Sequence, residues 1–336
     1  MWWLLARLAI SGGLLAWLVH RINLGAIGAN LVHASPGWVL AANVLTAPVI
    51  VLVSWKWQIL LRAAGVRESL PRLVRMNLVG GFYSLVLPGE ETGQLAKGLI
   101  LARHTEGDAV AASIIVDEIL GTLSIFAIAL VALGITHPFP LRALIAGAIA
   151  AMLAVFLVLL VLAVFPQFHG LGRAVLERIL SGLRLHKVQA WLEPFWDRLA
   201  SYRRQPGPLL AAFAITVAAH LLANVSVLST MRAIGAGVSF LDICWVVAAI
   251  SALVTIPITV SGFGIREGAN VIILGQLGVP ASQALAISLL AFAIGFVWSL
   301  PGALLQFGIR SKTPARPPTA PEEPGAVEAA AGGGAS

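Results

Sequence analysis

The chain has 336 residues, of which 59% are hydrophobic and 11% charged, with a mean hydropathy of +0.92. Soluble globular domains carry roughly 25% charged residues, so a water-soluble fold is excluded and the composition is that of an all-α polytopic membrane protein. The formal charge of +7 fits loops beside anionic lipid rather than a nucleic-acid partner, and the lone Cys244 permits neither an intramolecular disulfide nor a cysteine-based zinc site.

A hydrocarbon core of about 30 Å takes about 20 apolar residues per helix. The first such stretch, 3–19, runs past Arg7 into a long apolar segment followed by further spans, unlike a signal peptide, and reads as a retained span. Spans near 36–61, 109–135, 141–165, 208–231 and 283–309 follow, giving six in all. Two further apolar stretches, 73–104 and 240–279, are interrupted midway by Pro, Gly and charged residues, and each predicts a re-entrant helical hairpin. Within 166–207, Leu171, Val175, Ile179 and Leu183 recur at helical spacing opposite Arg173, Glu177 and Arg184, which predicts an interfacial helix or a cytoplasmic helical hairpin. Residues 1–310 form the membrane domain, and 311–336, rich in Pro, Gly and Ala, read as a disordered tail. Trp2, Trp3, Trp38, Trp55 and Trp57 fit interfacial anchors.

Cytoplasmic loops carry the excess of Lys and Arg. With both interrupted stretches folded back, Arg62, Arg67, Arg72, Arg75 and Arg103 fall on one side together with the cations of 166–207 and of the tail. Arg21, Arg142 and Arg232 face the other side, a division of 15 to 3. Arg7, Lys56, Lys97 and Arg266 are left at membrane depth or at its border. Both termini are thereby expected in the cytoplasm.

The sequence also repeats. Arg62-Ala63-Ala64-Gly65 is echoed by Arg232-Ala233-Ile234-Gly235, and Pro88, Gly93 and Lys97 are echoed by Pro257, Gly262 and Arg266 at a nearly identical offset. Each unit, 36–135 and 208–309, is span, hairpin, span. The charge-derived topology makes the units antiparallel, the inverted-repeat plan of secondary transporters, with broken segments meeting near the midplane.

Those broken segments carry the candidate chemistry. After Pro88-Gly89-Glu90-Glu91-Thr92-Gly93 a helix restarts near Gln94, with Lys97 one turn in. The second hairpin offers Ser261-Gly262-Phe263-Gly264-Ile265-Arg266-Glu267-Gly268. Two half-helix N-termini with Gly93, Gly262 and Gly264 permitting close backbone approach, plus Lys97 and Arg266, make a candidate site for a lipid phosphate. The alternative is structural: Arg266 pairs with Glu267, Glu90 or Glu91, and the glycines serve helix packing. Intramembrane charges cost about 2.5–3.5 kcal/mol each on insertion scales, which favours a functional role for Glu90, Glu91 and Glu267 as well. Asp117-Glu118, inside a span, suits proton coupling or a cationic headgroup, with pairing to Lys97 or Arg103 as the rival. His220 and Asn224 fit interhelical hydrogen bonds. No metal cluster, nucleophile elbow or phosphate-binding Walker loop is present, so neither an enzyme activity nor a cofactor is expected.

The pattern Leu87-Pro88-Gly89 to Lys97, Asp117 followed by Gly121, then Ile256-Pro257 with Ser261 to Gly268, resembles the lysylphosphatidylglycerol synthase transmembrane-region family, also called the flippase-like domain, over about residues 1–310. The resemblance implies a bacterial inner-membrane protein that moves a lipid or lipid-linked headgroup between leaflets, the ligands being an anionic or aminoacylated phospholipid or another lipid-linked headgroup. The chain has Gln94 and Lys97 where the family's first motif continues with Asp and then Arg, and Glu118 where an Arg follows the Asp. Because only a short tail follows Arg310, no synthase activity is expected. A different class of role is a non-transporting partner that holds enzymes of lipid, hopanoid or cell-envelope glycan synthesis through 166–207.

Overall fold

The computed structural model describes residues 13, 22, 24–87, 92–165, 195–254 and 264–309. Among them the fold is all helical, with no strand: α1 Leu24–Val32, α2 Pro36–Ala63, α3 Leu70–Val86, α4 Thr92–Ala102, α5 Gly107–Ile135, α6 Arg142–Val164, α7 Pro206–Ala233, α8 Phe240–Val254, α9 Ile265–Gly275 and α10 Ala281–Ile309. A helical stretch at 195–201 and a 3₁₀ turn, Tyr202–Arg204, precede α7. Five helices, α2, α5, α6, α7 and α10, are long and apolar enough to cross a membrane. They are the last five expected spans. The expected first span, the segment 166–194 and the tail lie outside the described residues.

The repeat is visible in the helices themselves. Helices α2 and α7 both have 28 residues and begin at matching points of the two units, Pro36 and Pro206, each placing proline in the first turn, where a missing N–H costs nothing. Both end in the same cap. Gly65 and Gly235 sit at φ +93° and +82°, the Val66 N–H bonds to the Leu61 carbonyl, and the Ala236 N–H bonds to the Met231 carbonyl, each at 2.9 Å. The echoed Arg-Ala-Ala-Gly and Arg-Ala-Ile-Gly are therefore glycine C-caps with a cation in the last turn, where the helix dipole favours it.

The two helices run antiparallel along their full lengths. At one end the Ser35 N–H bonds to the Ala233 carbonyl at 2.9 Å. Further along, the Ser226 hydroxyl bonds to the Ala42 carbonyl at 2.9 Å, and at the other end Gln205 Nε2 bonds to the Ala63 carbonyl at 2.8 Å. The first helices of the two units thus run in opposite directions.

The remaining helices follow the same pseudo-twofold relation. Helix α3 packs on α10 and α8 on α5, so each unit's broken segment rests on the other unit's last helix; α4 packs on its own α5 and α9 on its own α10. Close approach is built from glycine. A Cβ on Gly302, next to the intrahelical Pro301, would stand 2.1 Å from the Leu78 carbonyl oxygen, and a Cβ on Gly93 would stand 2.3 Å from that of Gly80. At these points α10 and α4 touch the α3 backbone directly, the small-residue packing common between membrane helices.

Helices α4 and α9 have 11 residues each and rise about 16 Å, half of a hydrocarbon core. The end of α2 and the start of α5 lie together at one end of the bundle. The Arg198 guanidinium touches the Ala64 carbonyl after α2 and both Glu106 and Asp108 at the start of α5. Arg62, Arg198, Arg203 and Arg204 share that end, while Arg142 and Arg232 belong to the other, where α6 begins and α7 ends.

One anchor is reassigned. Trp38 and Trp55 are exposed as an interfacial role requires, but Trp57 is fully buried and donates its indole N–H to the Ser113 hydroxyl at 3.1 Å. Its neighbour Trp55 lies on the other face of α2, because two residues along a helix turn the side chain by about 200°.

Candidate functional site

Two adjoining cavities lie where the units meet. The first, about 690 Å³, is lined by α2, α3, α4, α5, α6, α7 and α8 and contains Lys56, Lys97, Asp117, Glu118 and His220. The second, about 520 Å³, is lined by α3, α7, α8, α9 and α10 and contains Arg266. Gly81, Ser84 and Ser251 line both, so the cavities are two lobes of one space.

The lobes are copies of each other. Helices α3 and α8 begin at Leu70 and Phe240, α4 and α9 end at Ala102 and Gly275, and α5 and α10 begin at Gly107 and Ala281, so the offset between the units widens along the chain. With each helix aligned on its counterpart at these points, Asn77, Gly80 and Gly81 of the first lobe correspond to Val247, Ile250 and Ser251 of the second. Gly93 and Lys97 correspond to Arg266 and Asn270; Asp117, Glu118 and Gly121 correspond to Ala291, Phe292 and Gly295. Every one of these positions faces its own lobe. The side chains have diverged: the first lobe is charged, and the second is apolar apart from Arg266, Asn270 and its serines.

This register sets Lys97 opposite Asn270, whereas the sequence echo sets it opposite Arg266. The echo of Lys97 by Arg266 matches Pro-x₄-Gly-x₃-cation spacing, but from the start of α8 at Phe240 to the end of α9 at Gly275 the chain is three residues longer than from the start of α3 at Leu70 to the end of α4 at Ala102. Lys97 stands five residues before the end of α4 at Ala102, and Arg266 nine residues before the end of α9 at Gly275. Both still line the joined space, from different depths of their helices.

In the first lobe Lys97 is 2% exposed; its Nζ is 3.0 Å from Asn77 Oδ1 and 4.4 Å from the centre of the Trp57 ring. A buried ammonium thus sits against an amide oxygen and an aromatic face, the partners that hold a desolvated cation. Asp117, also 2% exposed, forms an ion pair with Lys56 at 2.8 Å. The expected alternatives, Lys97 and Arg103, are not its partners in that contact. Glu118 lines the same lobe, as does Gly93. His220 Nδ1 lies 2.9 Å from the Ser124 hydroxyl, and Asn224 Nδ2 points to Cys244 Sγ at 3.4 Å, both contacts between helices.

At the second lobe Gly264 has φ +87° and caps α9. The Glu267 carboxylate turns back to accept the Gly264 N–H at 2.6 Å and the Ser288 hydroxyl at 3.3 Å, and it is not among the lining residues. This carboxylate occupies part of the helix N-terminus that sequence reasoning offered to a lipid phosphate. Glu90, Glu91 and Gly262 lie outside the described residues.

Sequence reasoning left Lys56 unassigned and did not single out Asn77, Asn270, Ser84 or Ser251. The signal for Lys56 was present. It stands two turns before the end of α2, and Asp117 stands nearly three turns after the start of α5, at the same end of the bundle, so the two charges share a depth. Among the described residues no group of three or more His, Cys, Asp or Glu is placed to hold a metal ion.

The family profile described as Lysylphosphatidylglycerol synthase TM region matches residues 4–302. A UPF0104 membrane protein of Methanothermobacter thermautotrophicus is 25% identical over 305 residues, 84% of this chain and 88% of that protein. No solved structure matches the chain.

Proposed function

The chain belongs to the lysylphosphatidylglycerol synthase transmembrane-region family, and from that premise we propose that it is a flippase-like transporter that carries a phospholipid or lipid-linked headgroup between leaflets. The observation that carries this reading is the duplicated cavity at the junction of inverted units, with Lys97 in one lobe and Arg266 in the other. Inverted-repeat transporters bind substrate at the junction of their repeats and alternate access by moving one repeat against the other.

In this reading α3–α4 and α8–α9 are re-entrant hairpins, since neither 11-residue helix reaches across the bilayer alone. Arg266 holds the lipid phosphate, with the hydroxyls of Ser84 and Ser251 beside it. Lys97 faces the remainder of the headgroup. Ala291 and Gly295, on the second lobe, are exposed, which supplies a lateral route for the lipid tail. The Arg-rich end of the bundle faces the cytoplasm of an inner-membrane protein, and the role is transport without chemical change of the lipid.

Translocation of labelled lipids in reconstituted vesicles tests it. The Lys97→Gln, Arg266→Gln double variant is expected to lose translocation of the lipids wild type moves while keeping its thermal unfolding profile. Equal translocation by both proteins for every lipid tried removes the site.

A further inference from the structure

We propose that the first lobe recognises an uncharged, hydroxyl-bearing headgroup, a polyol or sugar attached to the phosphate, rather than an ammonium-bearing one. This rests on the transport reading above and names the substrate class of the same site.

Three observations carry it. First, Gln94 lines this lobe from the first turn of α4, and its Oε1 is buried with no hydrogen-bond partner. A buried amide oxygen without a donor costs about 1–3 kcal/mol, and a bound O–H or N–H restores the bond. Second, Asp117 Oδ1 is in ionic contact with Lys56 Nζ but not in hydrogen-bond alignment with any donor. Carboxylate oxygens each offer two lone pairs, so this atom has acceptor capacity to give to a ligand. The lobe therefore asks its occupant for donors, which a bare phosphate monoanion does not supply in number.

Third, the charge balance decides which donors. Lys56 and Lys97 face the lobe together with Asp117 and Glu118, two charges of each sign, with His220 as the remaining titratable group. Asp117 is already matched by Lys56 at 2.8 Å. A ligand ammonium would find no surplus carboxylate and would lie beside two buried cations, where like charges in a low-dielectric space repel strongly. Neutral hydroxyls meet no such cost. They donate to Gln94 and Asp117, and their lone pairs accept from Lys56 and Lys97. The volume of about 690 Å³ falls in the range of pockets that hold small organic molecules.

The test is binding of short-chain lipids to the full chain in detergent, read by native mass spectrometry. Dihexanoyl phosphatidylglycerol, dihexanoyl phosphatidylinositol and a hexosyl phosphate on a short isoprenyl chain are compared with dihexanoyl phosphatidylethanolamine and phosphatidylcholine. At least one hydroxyl-bearing lipid is expected to bind fivefold or more tighter than both ammonium lipids, and the glycerol-based and isoprenyl arms tell which carrier is used. Gln94→Leu is expected to weaken the hydroxyl-bearing lipids about 5- to 150-fold, the equivalent of one lost buried hydrogen bond, and to leave phosphatidylcholine unchanged. Phosphatidylethanolamine or phosphatidylcholine binding as tightly as every hydroxyl-bearing lipid overturns the proposal, as does an equal loss for all five on Gln94→Leu. Arg266→Gln separates the two readings. Weakening of all five lipids alike upholds the phosphate site whatever the headgroup order, whereas no weakening of any of them removes the phosphate site itself.

Discussion

The Lys56–Asp117 pair gives the sharpest quantitative test of the interior. The two charged groups are 2.8 Å apart with side chains 7% and 3% exposed, inside helices α2 and α5. At an effective dielectric constant of 20 the attraction at that distance is about 6 kcal/mol, and the desolvation of both ions offsets most of it. Removing one partner leaves the other buried and unmatched, so Lys56→Met and Asp117→Leu are each expected to cost about 3–5 kcal/mol. Removing both deletes two charges that insertion scales penalise by about 2.5–3.5 kcal/mol each, and the double variant is expected within about 2 kcal/mol of wild type. Unfolding in bicelles followed by tryptophan fluorescence measures all four corners of the cycle; the chain carries 10 tryptophans, and Trp57 adjoins Lys56. Losses that simply add in the double variant refute the pairing. The same double variant has a functional corollary: it keeps the fold and loses lipid selectivity, because Asp117 and Lys56 both line the first lobe.

Three further outcomes follow from local geometry. Gly93→Val places side-chain atoms against the Gly80 backbone, since even a Cβ there would stand 2.3 Å from a carbonyl oxygen; α3 and α4 are expected to separate, with a loss of about 1–3 kcal/mol as for overpacked interiors, and faster proteolysis between them. Gly65→Ala and Gly235→Ala, at φ +93° and +82°, are each expected to cost about 1–2 kcal/mol in thermal unfolding, and by similar amounts because both residues form the same cap. Tyr202→Phe leaves the Leu60 carbonyl without its 2.8 Å donor and is expected to cost about 1 kcal/mol. Burial, and secondarily the Asp117 charge, hold the Tyr202 hydroxyl protonated well above its usual range. Its contribution is therefore constant below the unfolded tyrosine value of about 10 and declines as pH rises beyond it, which unfolding in buffers from neutral to strongly alkaline pH checks.

Much of this architecture is legible in the chain because hydropathy and charge act on single segments. Five apolar runs became five long helices, and the Gly after Arg-Ala-Ala and Arg-Ala-Ile marked two identical caps because only a residue without a Cβ enters that conformation cheaply. The site was less legible, for two reasons. The repeat register drifts along each unit, since Phe240 to the end of α9 at Gly275 is three residues longer than Leu70 to the end of α4 at Ala102, so a fixed-offset comparison sets Lys97 against Arg266 where the helix ends set it against Asn270. And Trp57, two positions from an exposed Trp55, is indistinguishable from an anchor in one dimension. Its burial depends on α4 bringing Lys97 over the ring and α5 bringing Ser113 to its nitrogen. For Lys56 the depth shared with Asp117 was readable, but that α2 and α5 lie side by side and bring the two charges into contact was not.

The divergence of the two lobes implies a division of labour that three glycines can separate. Gly121 lines the first lobe, Gly295 the second and Gly81 both, and a Cβ added at any of them meets nothing within 4 Å. All three lie inside helices, where replacing Gly lowers the backbone entropy cost by about 0.5–1 kcal/mol. Gly121→Leu, Gly295→Leu and Gly81→Leu are therefore expected to fold with unfolding temperatures at or above wild type, while each fills part of the space. Gly121→Leu displaces the headgroup from the charged lobe and flattens the preference among lipids. Gly295→Leu narrows the apolar lobe beside Arg266, and should weaken long-chain lipids more than dihexanoyl ones. Gly81→Leu obstructs the junction, so short-chain lipids still bind but translocation stops. Stability, selectivity and transport are read on the same three proteins. If all three move lipid as wild type does, the space between the inverted units is packing volume and the substrate passes elsewhere.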